Sequence, residues 1–171
     1  MGQWPAKEMA YEACAKGRLF ILRKIMRNVE DCKDALLNRA CVYGHLDIVQ
    51  YLVDDEGCDI HNFCDAPLRY ACAGNRENIV IWLLAKGANV NANNGYAYEK
   101  TSSKKIKMHL IAHGLQMSHV NSDDMYLYFE CRRVKFQGWL VGTKHDSSSL
   151  KRFTEHELFE RELLRVIWHF A

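Results

Sequence analysis

Prolines and long apolar runs are scarce in this sequence of 171 residues. Only 2 prolines occur, which argues against a Pro-rich linker or tail. No stretch approaches the roughly 18 consecutive apolar residues of a membrane-spanning helix. Charge of one sign is lacking too, since 23 basic and 21 acidic side chains leave a net charge of +2. With 49% apolar residues, the composition is that of a globular protein.

The motifs of common catalytic and nucleotide-binding sites are also missing. No GxxxxGK[ST], GxGxxG or GxSxG occurs, and no nucleophile lies at a meaningful spacing from a base. We therefore predict that the protein is not an enzyme, and we expect no cofactor. The only basic segment, residues 61–114, carries 7 basic and 3 acidic side chains, mainly through a lysine cluster that we interpret as solvated helix surface. Nucleic acid is accordingly not the expected partner, and neither is a membrane.

One segment recurs along the chain. Residues 40–53 (ACVYGHLDIVQYLV) have close counterparts upstream and downstream, and the corresponding alanines Ala13, Ala40 and Ala71 are 27 and 31 residues apart. A period of about 20 to 50 residues indicates a stacked array of repeats. Each unit fits two short antiparallel helices joined by a turn at a glycine, as in the predicted helix over residues 6–16 that Gly17 ends. The alanine is small because neighbouring helix pairs approach closely there.

Three of these segments resemble the ankyrin repeat family: 67–72 (PLRYAC), 44–49 (GHLDIV) and 83–91 (LLAKGANVN). The resemblance implies an all-α ankyrin-repeat solenoid over residues 1–114, and we place its repeats at about 1–30, 33–62, 65–94 and 95–114. The fourth repeat is degenerate. Residues 115–171 resemble nothing that we recognise, and we interpret them as a C-terminal extension, with a capping role as one interpretation, that ends in an amphipathic helix.

Departures from the family pattern mark particular positions. Asn75 replaces the glycine that ends the first helix of a repeat, and residues 54–57 contain one extra residue before their glycine. The connection from Ile60 to Leu68 is shorter than the family's, so its β-hairpin finger is predicted to be truncated.

The resemblance implies a protein-binding adaptor or inhibitor. Arginine and aromatic side chains dominate binding energy at protein interfaces, so we look for them on the inner helices and fingers. Arg39, Tyr43, Arg69 and Tyr70 belong to the inner helices, near the expected concave side. The candidates on the fingers are Asn62, Phe63, Asn93, Asn94 and Tyr96.

A metal site is an alternative for one finger. Cys58, His61 and Cys64 supply soft ligands at even spacing, but a structural zinc site requires four ligands and the fourth is not evident. We therefore expect no metal, and interpret the three as ordinary finger residues.

Cysteine usage predicts a reducing, intracellular environment. Among 7 cysteines, Cys14, Cys41 and Cys72 fall at one repeat position, where helices about 8–10 Å apart are poorly placed for disulfides. We expect a cytoplasmic protein, or one acting on a target in the host cytoplasm if a virus or bacterium encodes it. Two alternatives stay open: residues 115–171 carry nucleic-acid binding or another activity, or the Trp168 face of the C-terminal helix forms a homodimer.

Overall fold

The computed structural model describes residues 5–131, which are helical and contain no strand. Their helices form four pairs: α1 (Ala6–Lys16) with α2 (Leu19–Ile25), α3 (Lys33–Tyr43) with α4 (Leu46–Gln50), α5 (Asn62–Ala73) with α6 (Glu77–Ala85), and α7 (Ala92–Lys100) with α8 (Lys104–Ala112). The inner helices α1, α3, α5 and α7 contact one another in chain order, and each packs on its own outer helix. This confirms the predicted all-α repeat solenoid. The predicted C-terminal amphipathic helix lies outside the described residues.

Small residues form the contact between successive inner helices. Ala13, Ala40 and Ala71 are each at most 1% exposed, and each precedes a buried cysteine. Cys14, Cys41 and Cys72 are free thiols. Burial raises the pKa of Cys14 and of Cys72 to about 12, so these thiols stay protonated and act as small apolar side chains.

A glycine turn ends the first inner helix, as predicted. Gly17 has φ 69°, and a Cβ there would lie 2.5 Å from Nδ1 of His45 in the next repeat. Nε2 of His45 lies 3.0 Å from the Ala15 carbonyl oxygen, to which it can donate. One repeat later, Nε of Arg76 donates to the Val42 carbonyl at 2.7 Å. The turn is therefore also the place where each repeat bonds to its neighbour.

In the third repeat Asn75, directly after Gly74, occupies the left-handed position of this turn. Its φ of 53° lies in the left-handed region, which asparagine tolerates better than most residues. Its side-chain oxygen accepts from Oγ1 of Thr101 at 2.8 Å, and its amide donates to Oγ of Ser102 at 3.1 Å. The departure from glycine thus adds hydrogen bonds to the following repeat.

The extra residue near Gly57 is absorbed in the second outer helix. Residues Tyr51–Asp55 continue α4 as a π-helix, and the Glu56 amide donates to the Tyr51 carbonyl five residues back at 3.1 Å. An inserted residue commonly produces such a widened turn. The acidic side chains around the insertion then form ion pairs: Asp54 with Lys86 at 2.8 Å, Asp55 with Arg23 at 3.5 Å, and Glu56 with Lys33 at 3.1 Å.

The stacking pattern changes in the fourth pair. Tyr98 lies 27 residues after Ala71 and occupies the position of the small alanine, yet it is 0% exposed. Residues 115–131 cover it rather than another inner helix. Leu115, Leu127 and Tyr128 join the core, and residues 125–131 are helical. Among the described residues, the array of inner helices therefore ends at a bulky side chain.

An ion pair fixes this covering segment. Nζ of Lys107 on α8 pairs with the Asp124 carboxylate, both side chains being less than 20% exposed, and lies 5.1 Å from the centre of the Tyr98 ring. The hydrogen bond from Lys107 holds the pKa of Asp124 below its usual value. Burial, and then the nearby Asp124 carboxylate, raise the pKa of the Tyr98 phenol, although its hydroxyl makes no well-formed hydrogen bond among the described residues.

Enlarging the stacking alanine should destabilise the array. Ala40→Leu places three extra carbon atoms between α3 and its neighbours, and overpacking of this kind costs about 1–3 kcal/mol. The control is Ala35→Leu, at an exposed position of the same helix. Urea unfolding followed by circular dichroism measures both. Equal stability of the two variants would contradict close contact at Ala40.

The Lys107–Asp124 pair should make stability depend on pH. The pKa of Asp124 is lower in the folded than in the unfolded state, so the pair stabilises the fold above roughly pH 4 and the stabilisation is lost as the pH falls through the folded pKa. At pH 7, Asp124→Asn should lower the free energy of unfolding by about 1–2 kcal/mol. That deficit should shrink toward pH 2.

Asp123→Asn is the matched control for this experiment, because Asp123 is exposed and forms no ion pair among the described residues. Unfolding free energies from urea titrations between pH 7 and pH 2 decide the matter. A deficit for Asp124→Asn that stays constant over this range would be inconsistent with a stabilising carboxylate.

Candidate interaction surface

Arg39 lies between two tyrosine rings on the inner helices. Its Cζ is 5.5 Å from the ring centre of Tyr11 on α1 and 5.5 Å from that of Tyr43 on α3. Cation–π contacts of this length hold a long side chain in place without neutralising its charge. Arg39 makes no hydrogen bond or ion pair within residues 5–131, so its donors point to no protein acceptor there.

A second cluster lies on α5 and α7. Cζ of Arg69 is 5.7 Å from the ring centre of Tyr96, and Nζ of Lys100 is 4.6 Å from the same centre. A hydrogen bond with Tyr96 raises the pKa of Lys100. Two cations therefore share one aromatic ring.

These residues form a surface that we call the inner surface. Its exposed tyrosines are Tyr43 and Tyr70, each 44% exposed. Its members come from all four inner helices: Tyr11, Arg39, Tyr43, Arg69, Tyr70, Tyr96 and Lys100.

Two left-handed turns lie in the first residues of α5 and of α7, in place of β-hairpin fingers. Residues 63–65 have φ between 48° and 58°, and residues 93–95 have φ between 50° and 70°. The second turn uses Asn93, Asn94 and Gly95, which tolerate this backbone, whereas the first uses Phe63 and Cys64, for which it costs about 1–2 kcal/mol per residue. The finger that the sequence predicts to be truncated is thus reduced to a three-residue turn.

Side-chain hydrogen bonds hold the first turn in this strained form. The Arg69 guanidinium donates to the Phe63 carbonyl at 2.6 Å and to the Cys64 carbonyl at 3.2 Å. The Asp65 carboxylate, only 5% exposed, accepts from the Asn89 amide at 2.8 Å and lies 3.0 Å from Nδ1 of His61. Phe63 is nevertheless 69% exposed, so its ring contributes little to the core.

The structure does not assemble the candidate metal ligands. Cys58 is buried, and burial raises the pKa of its thiol to about 11, which disfavours the thiolate that metals bind. Cys64 is exposed, and the ring of His61 faces Asp65. Within residues 5–131, no group of three or more His, Cys, Asp or Glu is placed to hold a metal ion.

Several sequence-predicted residues lie together and others do not. Arg39 contacts Tyr43, and Arg69 contacts Tyr96, which follows its turn and belongs to the inner surface rather than to a finger tip. Tyr70 is exposed on α5. The remaining candidates lie at the two turns: Phe63 in the first with Asn62 directly before it, and Asn93 and Asn94 in the second.

Sequence reasoning missed Tyr11 and Lys100. The repeat register contained a signal for the first, because Tyr11 occupies the same position as Arg69, 27 + 31 = 58 residues later, and Tyr96 follows after another 27. Lys100 belongs to the lysine cluster of residues 61–114, whose pattern predicts only solvated helix surface. Its contact with Tyr96 depends on where α7 ends, which spacing alone does not define.

The helices form pairs, small residues lie at the contacts between inner helices, and a turn with special backbone conformation follows each of the first three inner helices. These features assign the chain to the class of helical repeat scaffolds. The family described as ankyrin repeats (3 copies) matches residues 10–94. The chain belongs to the ankyrin-repeat family, and its repeats form a protein–protein interaction module.

One curated relative is Alpha-latrotoxin-Lh1a from Latrodectus hasselti, 41% identical over 56 residues. The match covers 32% of this chain and only 4% of that relative, so the chain spans a small part of the relative's length. Separately, none of the helices within residues 5–131 is long and apolar enough to cross a membrane.

Replacing Phe63 by a residue suited to the left-handed turn should stabilise the fold. Phe63→Asn copies Asn93 of the second turn and should raise the free energy of unfolding by about 1 kcal/mol. The reciprocal change Asn93→Phe is the control and should lower it by a similar amount. Urea unfolding of both variants measures the difference. A loss of stability in Phe63→Asn would show that the aromatic ring, rather than strain, dominates at this position.

Proposed function

We propose that this protein is a non-enzymatic adaptor or inhibitor that acts by covering the surface of another protein with its inner surface. The observation that carries the proposal is the exposure of Tyr43 and Tyr70, each 44%, beside cations held against tyrosine rings. Tyrosine and arginine are the residue types most enriched at the energetic centres of interfaces.

The arrangement favours binding because much of its ordering precedes association. A tyrosine has few torsions to freeze, and a guanidinium already stacked on rings loses less side-chain entropy when a partner docks. Contacts between Tyr11 and Arg39 and between Arg69 and Tyr96 also cross from one repeat to the next. These contacts join the surface of α1 to that of α3, and the surface of α5 to that of α7.

Phe63 extends this surface at one side. Its ring is 69% exposed, and its carbonyl is bonded to Arg69, a member of the inner surface. Backbone strain without a packing gain is a feature of functional positions. We assign Phe63 to the same binding surface, as an apolar contact next to the cations.

The test is affinity capture from the native cell with the double variant Tyr43→Ala plus Tyr70→Ala, followed by mass spectrometry. Truncating two interface tyrosines should weaken partner binding by about 2 kcal/mol or more, a loss of roughly thirtyfold. The matched control is Phe20→Ala, which removes a ring that is 70% exposed on α2, an outer helix.

Circular dichroism establishes that all variants remain folded. The expected result is a partner captured by the parent and by Phe20→Ala and lost from the double variant. A partner retained by a folded double variant would place the binding surface elsewhere.

A further inference from the structure

Three cations of the inner surface lie on three successive inner helices: Arg39 on α3, Arg69 on α5 and Lys100 on α7. None of them forms an ion pair within residues 5–131. On α1, by contrast, Lys7 pairs with Asp31 and Lys16 with Glu12. The three are held by neutral tyrosine rings, so their charge is positioned and left uncompensated.

The packing of the three helices gives an expected spacing for these cations. The axes of helices in contact are about 8–10 Å apart. An extended chain advances about 3.3 Å per residue, so three of its residues span about 10 Å. A segment crossing α3, α5 and α7 would therefore meet one cation at about every third residue.

We infer that the inner surface binds an extended segment of a partner protein that carries an aspartate or glutamate at every third residue. This inference rests on the proposed function and specifies the chemistry of the partner. The guanidinium of Arg39 has its donors available for a carboxylate, while Arg69 uses two nitrogens on the first turn and adds mainly charge.

Phosphates of a nucleic acid would also meet these cations, but other features favour carboxylates. Binding of single strands relies on aromatic faces that bases stack upon, and here the protein's own cations lie against Tyr43 and Tyr96. The chain's net charge of +2 also provides no long basic track for a phosphate backbone.

The experiment measures binding of fluorescein-labelled peptides to the full chain by fluorescence anisotropy at low and physiological salt. The main probe is the tripeptide Glu-Gly-Ser repeated five times. A second peptide has the same composition with its glutamates grouped at one end, and a third has lysine in place of glutamate. A fluorescein-labelled oligothymidine of equal length completes the set.

The variant Arg39→Gln plus Lys100→Gln should weaken binding of the main probe about fivefold, because two exposed charge contacts are removed. Lys24→Gln plus Lys105→Gln removes the same charge from exposed lysines on outer helices α2 and α8, and should leave the affinity unchanged. Urea unfolding confirms that both variants are folded. The grouped and lysine peptides should bind more weakly than the main probe.

Equal weakening by the two double variants, or equal binding of grouped and spaced glutamates, would overturn the inference. So would failure of the main probe to bind, and tighter binding of oligothymidine would assign the surface to nucleic acid. Failure of the peptide experiment would not decide the proposed function, which has its own test. Loss of a captured partner from the Tyr43 and Tyr70 double variant would still support a protein-binding surface.

Discussion

The close approach of successive inner helices is the constraint on which the rest of this structure depends. It requires a residue no larger than alanine at the contact, as at Ala13, Ala40 and Ala71. The same spacing lets His45 reach the Ala15 carbonyl and Arg76 reach that of Val42, because these bonds cross from one repeat to the next. It also lets Arg39 lie against Tyr11, a contact that a wider separation would abolish. Scaffold and candidate surface are therefore two consequences of one packing distance.

Tyr98 shows what happens where the constraint is relaxed. A phenol at the alanine position leaves no room for another inner helix at the usual distance, yet its ring needs cover because it is large and apolar. Residues 115–131 provide that cover with Leu127 and Tyr128, and the ion pair between Lys107 and Asp124 fixes it beside the ring. Within residues 5–131, the last inner helix is thus covered by a changed side chain and a short segment of different conformation. This is consistent with the need of repeat arrays for terminal units that shield the core.

The sequence predicted those parts of the fold that repeat. Helix pairs, the turn at Gly17 and the stacking alanines recur at fixed spacing, so periodicity was sufficient for them. Periodicity located the insertion near Gly57 but did not predict its π-helical form. The sequence also predicted a shortened finger, but not the left-handed turns that replace it. Phe63 and Cys64 have no preference for that backbone. Hydrogen bonds impose that backbone: Arg69 donates to the Phe63 and Cys64 carbonyls, and the Asn89 amide donates to Asp65. Asn89 lies 24 residues after Asp65 along the chain. For the candidate surface, Arg39 and Tyr70 could be selected as residues that the repeat pattern leaves free, whereas Tyr11 and Lys100 depend on contacts between helices.

The two arginines of the inner surface differ in how a partner would use them. Arg69 already donates to the Phe63 and Cys64 carbonyls, so a carboxylate that engaged the same nitrogens would compete with the bonds that hold the strained turn. Part of its binding energy would then be lost in relaxing that turn. Arg39 has no such competing acceptor within residues 5–131, and its two tyrosines keep its plane ordered. A carboxylate bound there replaces only water, so Arg39 rather than Arg69 should be the stronger anionic contact of this surface. The same difference couples Phe63 to binding, because any partner that draws on Arg69 also changes the stability of the turn that presents the exposed ring.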